Sequence, residues 1–344
     1  MTGTRLDSLG MFEAAAGLAD QIATAAAGAR TVGGLPSAEG VTSVVVLGMG
    51  GSGIGGDLLA AVSGSRLHVP VVVPKGYEAP AFVGPDTLVF AVSFSGNTEE
   101  TISAATAAKA RGARLVVLAA GGEMARLAGE WGVPHLPIAD GIPMPRAGIG
   151  AVSLPPLIVL ERMGLLEGID HDIETTIDQL RRRNAELTAA DSPAATLARR
   201  IGRTMPIVYG GGALGDVAAL RWKGQFNENA KVPSFENRIP ELTHNEICGW
   251  GQHGDVTRQV FSMLLLRHDF EHPQTRRRFE LVAEICDEIV ADVHQVHAEG
   301  ETLMAQLFDL ILFGDYVSLE LAVQSGVDPG PVPVLDRIKA ELAK

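Results

Sequence analysis

Short apolar runs alternate with longer helical segments along this chain. In the first half, a helix over about residues 10–27 precedes valine-rich runs, most of which end in a glycine or serine turn and lead into an alanine-rich helical segment. The runs predict strands over residues 42–48, 69–74, 86–96 and 113–122, followed by a mainly helical region over 146–185. Buried β-branched strands separated by helices are typical of parallel sheets with crossover helices.

The second half repeats this scheme. PIVYGGGALG (206–215) is typical of a strand, a glycine turn and the start of a helix. Further strands are predicted over residues 261–268 and 293–300, and helices over residues 214–230, 275–291, 301–325 and 333–343. We therefore predict an α/β protein of two similar domains, residues 1–165 and 166–344, with the charged stretch 181–196 as a candidate bridge.

Charge limits the classes of partner. The 344 residues include 28 basic and 41 acidic side chains, which gives a net charge of -13. This balance argues against nucleic acid and against an anionic membrane surface as partners. It leaves room for a small anionic ligand, because backbone N–H groups at a helix start bind phosphate even in an acidic protein.

Cysteine usage and hydropathy bear on location. The two cysteines, Cys248 and Cys286, form neither a CxxC motif nor a disulfide framework, which favours a reducing compartment. The N-terminal residues lack the basic start and apolar core of a signal peptide. The longest apolar window, residues 147–160, is short and contains Pro and Gly, so we expect no membrane span and a cytoplasmic protein.

The glycine-rich stretch GMGGSG, residues 48–53, matches Gly-x-Gly-x-x-Gly. This pattern fits either a dinucleotide site or a phosphate loop. A dinucleotide fold needs an acidic residue at the end of the next strand, to hold the ribose. Here that strand ends at Lys75, and the first acid beyond it is Glu78. We therefore interpret the loop as a phosphate site.

Hydroxyl side chains support this interpretation. Ser93, Ser95 and Thr98 lie at the carboxyl end of the predicted strand over residues 86–96, where the next helix begins, and Ser52, beside Gly51, follows the first strand. Loops of this kind converge at the carboxyl edge of a parallel sheet, where hydroxyls and free helix N–H groups can hold one phosphomonoester. The alternative is that each Ser or Thr only caps a helix.

These motifs carry a resemblance to a known family. GMGGSGIGGD and SFSGNTEET resemble the sugar isomerase (SIS) domain family. PMPRAGIG (143–150), RWKGQFNENAK (221–231) and PELTHNEICGW (240–250) resemble one subgroup, the bifunctional phosphoglucose/phosphomannose isomerases. The resemblance implies two tandem SIS domains, each a flavodoxin-like, doubly wound parallel sheet with helical extensions. It also implies a homodimer that isomerises glucose or mannose 6-phosphate to fructose 6-phosphate and back, with no cofactor and no metal.

Such an isomerisation passes through a cis-enediol(ate) and needs a base, positive charge for the oxyanion and a group that opens the sugar ring. The resemblance suggests Glu228 as the base. The predicted helix would place Glu228 in its last turn, where the dipole disfavours a carboxylate and raises its pKa. The alternative is an exposed helix glutamate paired with Lys231.

The resemblance assigns ring opening to His244, contributed by the partner subunit. Thr243 and Glu246 have the spacing of a capping box, which predicts that His244 lies in the first turn of a helix. That position would keep its imidazole neutral for proton transfer. The alternative is an ordinary histidine at a helix start.

Two cations complete the implied site. Arg146 resembles the arginine that faces the enediolate, where a permanent charge stabilises an oxyanion; its alternative is a surface arginine. Lys339 matches a C-terminal lysine that assists ring opening, and its alternative is a solvated helix lysine. Gly330 stands where we expect many relatives to carry threonine, which puts tolerance of both C2 epimers in doubt.

The second glycine turn, YGGGALG, has no counterpart of Ser52, so we expect one phosphate site per chain. Three rival functions remain. The first is a non-catalytic SIS sensor of a sugar phosphate, and the second is an SIS isomerase for an amino-sugar or pentose phosphate. The third is a zinc-dependent mannose phosphate isomerase that would use His244, Glu246 and His253, although this spacing is not a tight metal motif.

Overall fold

The computed structural model describes residues 6–189 and 191–342, which group into two compact units. The first-sheet unit comprises Gly17–Arg181 and Gly300–Gln306. The second-sheet unit comprises the described parts of Met1–Ala16, Arg182–Glu299 and Leu307–Lys344. These limits differ from the predicted domains 1–165 and 166–344, most clearly at the N-terminal residues, which group with the C-terminal half.

Contacts of the first described residues explain this grouping. The amide of Ser8 donates a hydrogen bond to Asp328 at 3.3 Å. In the short helix α1 (Met11–Ala16), Met11 is buried and the ring centroid of Phe12 lies 6.2 Å from that of Tyr316. Apolar burial and ring contact thus attach α1 to the second-sheet unit.

The first-sheet unit contains a parallel sheet of five strands in the order β2-β1-β3-β4-β5. The strands are β1 (Ser43–Leu47), β2 (Val71–Val72), β3 (Thr87–Ser93), β4 (Arg114–Ala119) and β5 (His135–Pro137). The helices are α2 (Leu18–Thr31), α3 (Gly50–Ser63), α4 (Glu99–Ala110), α5 (Gly122–Trp131), α6 (Ile149–Arg162) and α7 (Ile169–Leu187), and the limit between the units falls within α7.

Two strands of this sheet differ from expectation. The strand predicted as buried over residues 69–74 is only β2, which is half-buried at the edge of the sheet. Pro70 and Pro74 flank it and have no N–H to donate, which limits strand pairing. The three-residue strand β5 was not predicted, because it has no apolar run and ends at Pro137.

Valines and alanines build the core of the first-sheet unit. Val45, Val89 and Val117 lie on three neighbouring strands and are fully buried. Ala104 and Ala108 of α4 pack on the same cluster and are also fully buried. Because alanine side chains are short, α4 can pack closely on the sheet and fix the loop that precedes it.

The second-sheet unit contains four parallel strands in the order β7-β6-β8-β9. These strands are β6 (Met205–Gly211), β7 (Phe235–Ile239), β8 (Phe261–Arg267) and β9 (Asp292–His297). Besides α1, the helices are α8 (Pro193–Ile201), α9 (Gly212–Gln225), α10 (Gly254–Val260), α11 (Pro273–Cys286), α12 (Leu303–Gln324) and α13 (Pro333–Leu342). The predicted end of the last helix, residue 343, lies outside the described residues.

Three features of this unit were not predicted. The strand β7, sequence FENRI, lies at the edge of the sheet and is mostly exposed, so it has no apolar run. The helix α10 contains no buried residue. The helix predicted over residues 214–230 changes at Phe226 into a π-helical turn, Phe226–Ala230.

The strand orders confirm the predicted fold class. The order β2-β1-β3-β4-β5 is that of a flavodoxin-like sheet, and β7-β6-β8-β9 repeats it with one strand fewer. In such sheets ligands bind at the carboxyl edge, at the point where the strand order reverses. In the first-sheet unit this point lies between the loops that follow β1 and β3.

Candidate functional site

The loop after β1 supplies the start of α3. Gly50 has a φ of 52°, a left-handed conformation that glycine adopts without strain. A side chain at Gly53 would begin 2.8 Å from the carbonyl oxygen of Gly48, so the loop closes on itself too tightly for any other residue. The hydroxyl-bearing Ser52 lies in the first turn of α3 and is buried. The glycines thus place Ser52 at a helix N-terminus, as a phosphate loop requires.

The loop after β3 is organised by its own hydroxyls. Ser93 is fully buried, donates a hydrogen bond to the hydroxyl of Thr98 at 2.8 Å and accepts one from the Thr98 amide at 3.3 Å. Ser95 is exposed and accepts a hydrogen bond from the Asn97 amide at 3.3 Å. Thr98 is the N-cap residue of α4, but its side chain makes no capping hydrogen bond. The alternative that these hydroxyls cap a helix therefore does not describe Thr98, and Ser93 instead fixes the loop before α4.

Contacts with α5 hold this loop from behind. Gly96 has a φ of 77°, and a side chain there would begin 1.8 Å from the carbonyl oxygen of Gly121. The Asn97 side chain accepts a hydrogen bond from the Glu123 amide at 3.0 Å, and the Met124 amide donates to the Gly96 carbonyl at 2.9 Å. Gly96 and Asn97 were not predicted as site residues, although the SGN triplet was a signal for a tight turn.

Arg146 lies beside the glycine loop. It belongs to a short 3-10 turn, Pro145–Ala147, and is only 3% exposed. A side chain at Gly51 would begin 3.2 Å from the Pro145 carbonyl oxygen and 3.7 Å from Cα of Arg146. Two residues after Arg146, Gly148 packs on the ring of Phe94, which belongs to the loop after β3. The structure therefore brings a buried arginine to the predicted phosphate loops, and the surface alternative is wrong.

Lys75, which was not predicted as a site residue, is a second cation at this edge. A side chain at Gly53 would begin 3.3 Å from Cε of Lys75, so the lysine stem lies on the glycine loop. Its ammonium group pairs with Asp57 of α3 at 2.5 Å. Burial raises the pKa of Asp57, and the positive charge of Lys75 opposes that rise.

Glu228 lies in the π-helical turn that follows α9, and it is half-buried. Lys231 ends the turn in a left-handed conformation, with a φ of 57°. Its ammonium group donates to the backbone carbonyl of Glu228 and, at 3.2 Å, to that of Pro329. Beside Glu228, the side-chain amide of Asn229 donates to the hydroxyl of Ser318 on α12 at 3.0 Å. The turn is thus fixed on both sides of Glu228.

The helix before this turn is anchored in the core. The guanidinium of Arg221 on α9 makes a bidentate ion pair with Asp315 on α12, at 3.1 and 2.8 Å, and both residues are buried. Gln225 donates to the same carboxylate at 2.9 Å. The indole of Trp222 packs against Gly314, where a side chain would begin 2.3 Å from the indole nitrogen. This packing fixes the orientation of α9 and therefore the position of the turn that carries Glu228.

The structure does not place His244 as predicted. His244 is exposed and is the last residue of a 3-10 turn, Glu241–His244. The expected capping box is absent, because Thr243 donates to the Pro240 carbonyl at 2.6 Å and Glu246 bonds elsewhere. The prediction that His244 lies in the first turn of a helix is therefore wrong, and the argument from a helix N-terminus does not apply to it.

Lys339 lies in the last turn of α13, the predicted C-terminal helix. A positive charge there is favourable for the helix dipole. All residues of α13 are exposed, and Lys339 shares this exposure with its neighbours. The role of Lys339 in ring opening stays a prediction.

The equivalent edge of the second sheet is filled by side chains. A side chain at Gly211, the last residue of β6, would begin 2.7 Å from atoms of both Thr275 and Phe279 of α11. At the end of β8, Arg267 makes a bidentate ion pair with Glu271 at 2.9 Å, and its guanidinium carbon lies 4.5 Å from the ring centroid of Phe279. This packing supports the prediction of one phosphate site per chain.

The zinc alternative loses one of its three ligands. The carboxylate of Glu246 accepts hydrogen bonds from the phenol of Tyr209 and, at 2.6 Å, from the side-chain amide of Asn237. In residues 6–189 and 191–342, no three His, Cys, Asp or Glu side chains are placed to hold a metal ion. Within the same ranges, no helix is both long and apolar enough to cross a membrane.

Family models match both halves of the chain. Residues 40–131 match the SIS domain, and residues 190–342 match the bacterial phospho-glucose isomerase C-terminal SIS domain. The first match covers the loops that carry Ser52, Ser93, Ser95 and Thr98. The second covers the π-helical turn and the segment that contains His244.

Individual proteins agree with these models. The chain is 36% identical to the bifunctional phosphoglucose/phosphomannose isomerase of Caldicellulosiruptor bescii, over 97% of this chain and 99% of that protein. It is 33% identical to the protein of the same name from Aquifex aeolicus, over 88% and 90% of the two chains. Among solved structures, a hypothetical protein from Thermus thermophilus has the same fold, with a TM-score of 0.75 and 15% identity over 98% of this chain and 90% of that one.

Proposed function

Because this chain belongs to the bifunctional phosphoglucose/phosphomannose isomerase family and is an isomerase of sugar phosphates, we propose that it interconverts glucose 6-phosphate and mannose 6-phosphate with fructose 6-phosphate. The observation that carries this proposal is the convergence of hydroxyl residues and the buried Arg146 at the strand-order reversal of the first sheet. Such an edge suits one phosphomonoester better than a dinucleotide.

The phosphate group is bound, in this proposal, by Ser52, Ser95 and Thr98 together with N–H groups at the starts of α3 and α4. Gly51 allows the close approach, and Ser93 fixes the second loop. Helix N-termini and hydroxyl donors favour a dianion even in a protein of net charge -13. Lys75 lies near the same loop, and its ion pair with Asp57 offsets part of its positive charge.

Glu228 is the proposed base. Its carboxylate removes the proton from C2 of the open-chain aldose and forms a cis-enediolate. A proton then passes from O2 to O1, and Glu228 returns its proton to C1 to give the ketose. A π-helical turn is rare, and such turns are frequent at functional sites, which supports a role for this one. Arg146 stabilises the negative charge on the enediolate oxygens without giving up a proton.

His244 and Lys339 are proposed to open the sugar ring before isomerisation. An exposed imidazole can transfer a proton to the ring oxygen if substrate reaches it, and exposure is what a group contributed to a partner subunit requires. We accordingly propose a homodimer in which His244 acts on the substrate held by the partner. We assign this enzyme to the cytoplasm and to carbohydrate metabolism such as glycolysis.

A coupled assay on glucose, mannose and fructose 6-phosphates tests this function, with the parent protein beside Glu228→Gln and Glu284→Gln. Glu284 is an exposed glutamate of α11 and serves as the matched control. We expect Glu228→Gln to bind substrate but to lose turnover by a factor of at least about a hundred, since general base catalysis contributes about 10²–10⁴-fold. The control variant should keep the parental rate.

The rival functions predict other outcomes. A parent protein that binds sugar phosphates without turnover would support a sensor of the SIS family. Turnover of an amino-sugar or pentose phosphate, with none of the three hexose phosphates, would support an SIS isomerase of different specificity. Full turnover in Glu228→Gln would remove Glu228 from the mechanism while leaving the substrate assignment in place.

A further inference from the structure

The segment Glu241–Trp250 carries His244 on two short 3-10 turns, Glu241–His244 and Glu246–Gly249. Turns of this length have few and poorly aligned internal hydrogen bonds, so they do not fix their own position. The ends of the segment are anchored by apolar burial, since Leu242 is 0% and Trp250 is 8% exposed. His244 lies between these anchors and is exposed, so something else must fix its part of the segment.

Glu246 supplies one such contact, beside the hydrogen bond that the guanidinium of Arg278 donates to the Thr243 hydroxyl. One carboxylate oxygen accepts a hydrogen bond from the phenol of Tyr209 on β6, and the other accepts one from the side-chain amide of Asn237 on β7 at 2.6 Å. The indole N–H of Trp250 donates to the Tyr209 hydroxyl oxygen at 3.1 Å. Tyr209 lies on an inner strand of the sheet. Its phenol thus connects two residues of the segment, Glu246 and Trp250, to that strand.

The chemistry of these groups requires a carboxylate at position 246. Both neighbours are donors, and only an ionised carboxylate presents two acceptor oxygens and no donor. Burial and the hydrogen bond to Glu246 raise the pKa of the Tyr209 phenol, so Tyr209 keeps its proton and remains a donor. Burial together with the charge of Glu246 raises the pKa of the nearby Cys286 thiol to about 11.

We propose that Glu246 is a positioning residue for His244, which it acts on by fastening the segment Glu241–Trp250 to Tyr209 and Asn237. The proposal rests on the proposed function, in that His244 takes part in ring opening. It assigns no contact with substrate to Glu246. Glu246 follows His244 by two positions in the chain. Loss of the hydrogen bonds to the Glu246 carboxylate therefore also displaces the His244 imidazole from its reactive position.

The first test measures the attachment without reference to catalysis. Amide hydrogen exchange, followed by mass spectrometry, is compared in the parent protein, Glu246→Gln and Glu241→Gln. Glu241 is a matched control, because it lies in the same segment but its carboxylate bonds only to the nearby Asn245, at 2.9 Å, among the contacts described. We expect faster exchange over residues 241–250 in Glu246→Gln alone. Equal exchange in Glu246→Gln and the parent would overturn the proposal.

The second test connects the attachment to catalysis. We expect Glu246→Gln to lower kcat by up to about a hundred-fold, because small displacements of a reacting group have effects of that size. KM should change by less than a factor of about two, since uniform substrate binding is untouched. In a His244→Ala background the same change at Glu246 should have no further effect on kcat.

The outcomes separate the two hypotheses. If Glu246→Gln lowers kcat by the same factor with and without His244, Glu246 does not act through that histidine and the proposal is wrong, whereas the isomerase function stands. If the parent protein lacks isomerase activity, the proposed function is wrong, and the exchange measurement alone decides whether Glu246 fastens the segment.

Discussion

Ser93 and Thr98 form a reciprocal pair, in which the Ser93 hydroxyl donates to the Thr98 hydroxyl at 2.8 Å and accepts from the Thr98 amide at 3.3 Å. Ser95, two residues along, is exposed and makes no contact with this pair among the hydrogen bonds of the described residues. The two serines of one loop therefore have different tasks, since Ser93 maintains the loop and Ser95 is open to a ligand.

Alanine substitutions separate these tasks. Ser95→Ala should raise KM for the sugar phosphate by about ten- to a hundred-fold with little change in kcat or Tm, because one hydrogen bond to a charged group contributes about 1.5–3 kcal/mol. Ser93→Ala should raise KM and also lower Tm, because it removes the partner of both the Thr98 hydroxyl and the Thr98 amide. Steady-state kinetics and thermal unfolding measure both effects. A change in kcat alone for Ser95→Ala would contradict the phosphate assignment.

Gly96→Ala should damage the same loop through the backbone. The new methyl group would begin 1.8 Å from the Gly121 carbonyl, at a φ of 77°. We expect a loss of about 1–3 kcal/mol in the free energy of unfolding and a higher KM. Gly28→Ala is the control: nothing lies within 4 Å of that position in α2, so alanine should stabilise the protein by about 0.5–1 kcal/mol. Chemical denaturation compares the two variants.

The side chain of Leu9 fills the space into which a side chain at position 330 would extend. A side chain at Gly330 would begin 2.7 Å from Cγ and 2.9 Å from Cβ of Leu9. Gly330→Thr should therefore lower the free energy of unfolding by about 1–3 kcal/mol through overpacking, and Leu9→Ala in the same chain should recover part of the loss.

The same variants test epimer tolerance. If residue 330 shapes the pocket around C2, the ratio of kcat/KM for mannose 6-phosphate to that for glucose 6-phosphate should change in the double variant Leu9→Ala/Gly330→Thr. A ratio equal to that of Leu9→Ala alone would show that Gly330 does not influence the choice between epimers.

Metal removal distinguishes the enediolate mechanism from the zinc alternative. Arg146 stabilises the oxyanion in the proposed mechanism, so we expect isomerase activity to be unchanged after dialysis against EDTA. Loss of activity that returns on addition of Zn²⁺ would favour the metal-dependent mechanism instead. Parallel measurement of bound zinc by mass spectrometry provides the control.

Asp216 should make stability depend on pH. Burial raises its pKa to about 6, and Glu236 adds to the rise, whereas Arg238 opposes it. Because the folded-state pKa lies above the unfolded one, Asp216 favours the folded state fully below about pH 4 and loses this contribution as the pH rises through 6. Asp216→Asn should therefore raise the free energy of unfolding by on the order of 1 kcal/mol over that of the parent at about pH 8. At about pH 4 the two proteins should be equally stable. Urea unfolding at both values tests this, with the exposed Asp255→Asn as the control.

The sequence predicted the sheets better than the segment near His244. Buried runs such as TLVFAVS and MLLLR are typical of parallel strands, because both faces of such a strand are covered. The segment over residues 241–250 is different, since a capping box is a local pattern. Here the carboxylate of Glu246 bonds Tyr209, which is 37 residues distant along the chain. No local pattern reports a contact at that separation.

The phosphate loops were likewise predicted only in part. The types and order of Ser52, Ser93, Ser95 and Thr98 were sufficient to predict a common edge, because parallel strands deliver their following loops to the same side. The distinct task of Ser93 depends on burial, and the position of Arg146 depends on a turn that packs against Gly51. These are tertiary features, and spacing along the chain does not encode them.

The grouping of residues up to Ala16 with Arg182–Glu299 and Leu307 onward means that neither unit corresponds to one uninterrupted piece of the gene. A fragment that begins at residue 182 would lack Phe12 beside Tyr316 and Ser8 beside Asp328. A separately synthesised peptide that ends at Ala16 should therefore associate with such a fragment and raise its Tm. Fragment complementation, more than truncation, is the experimental route to one half of this enzyme in isolation.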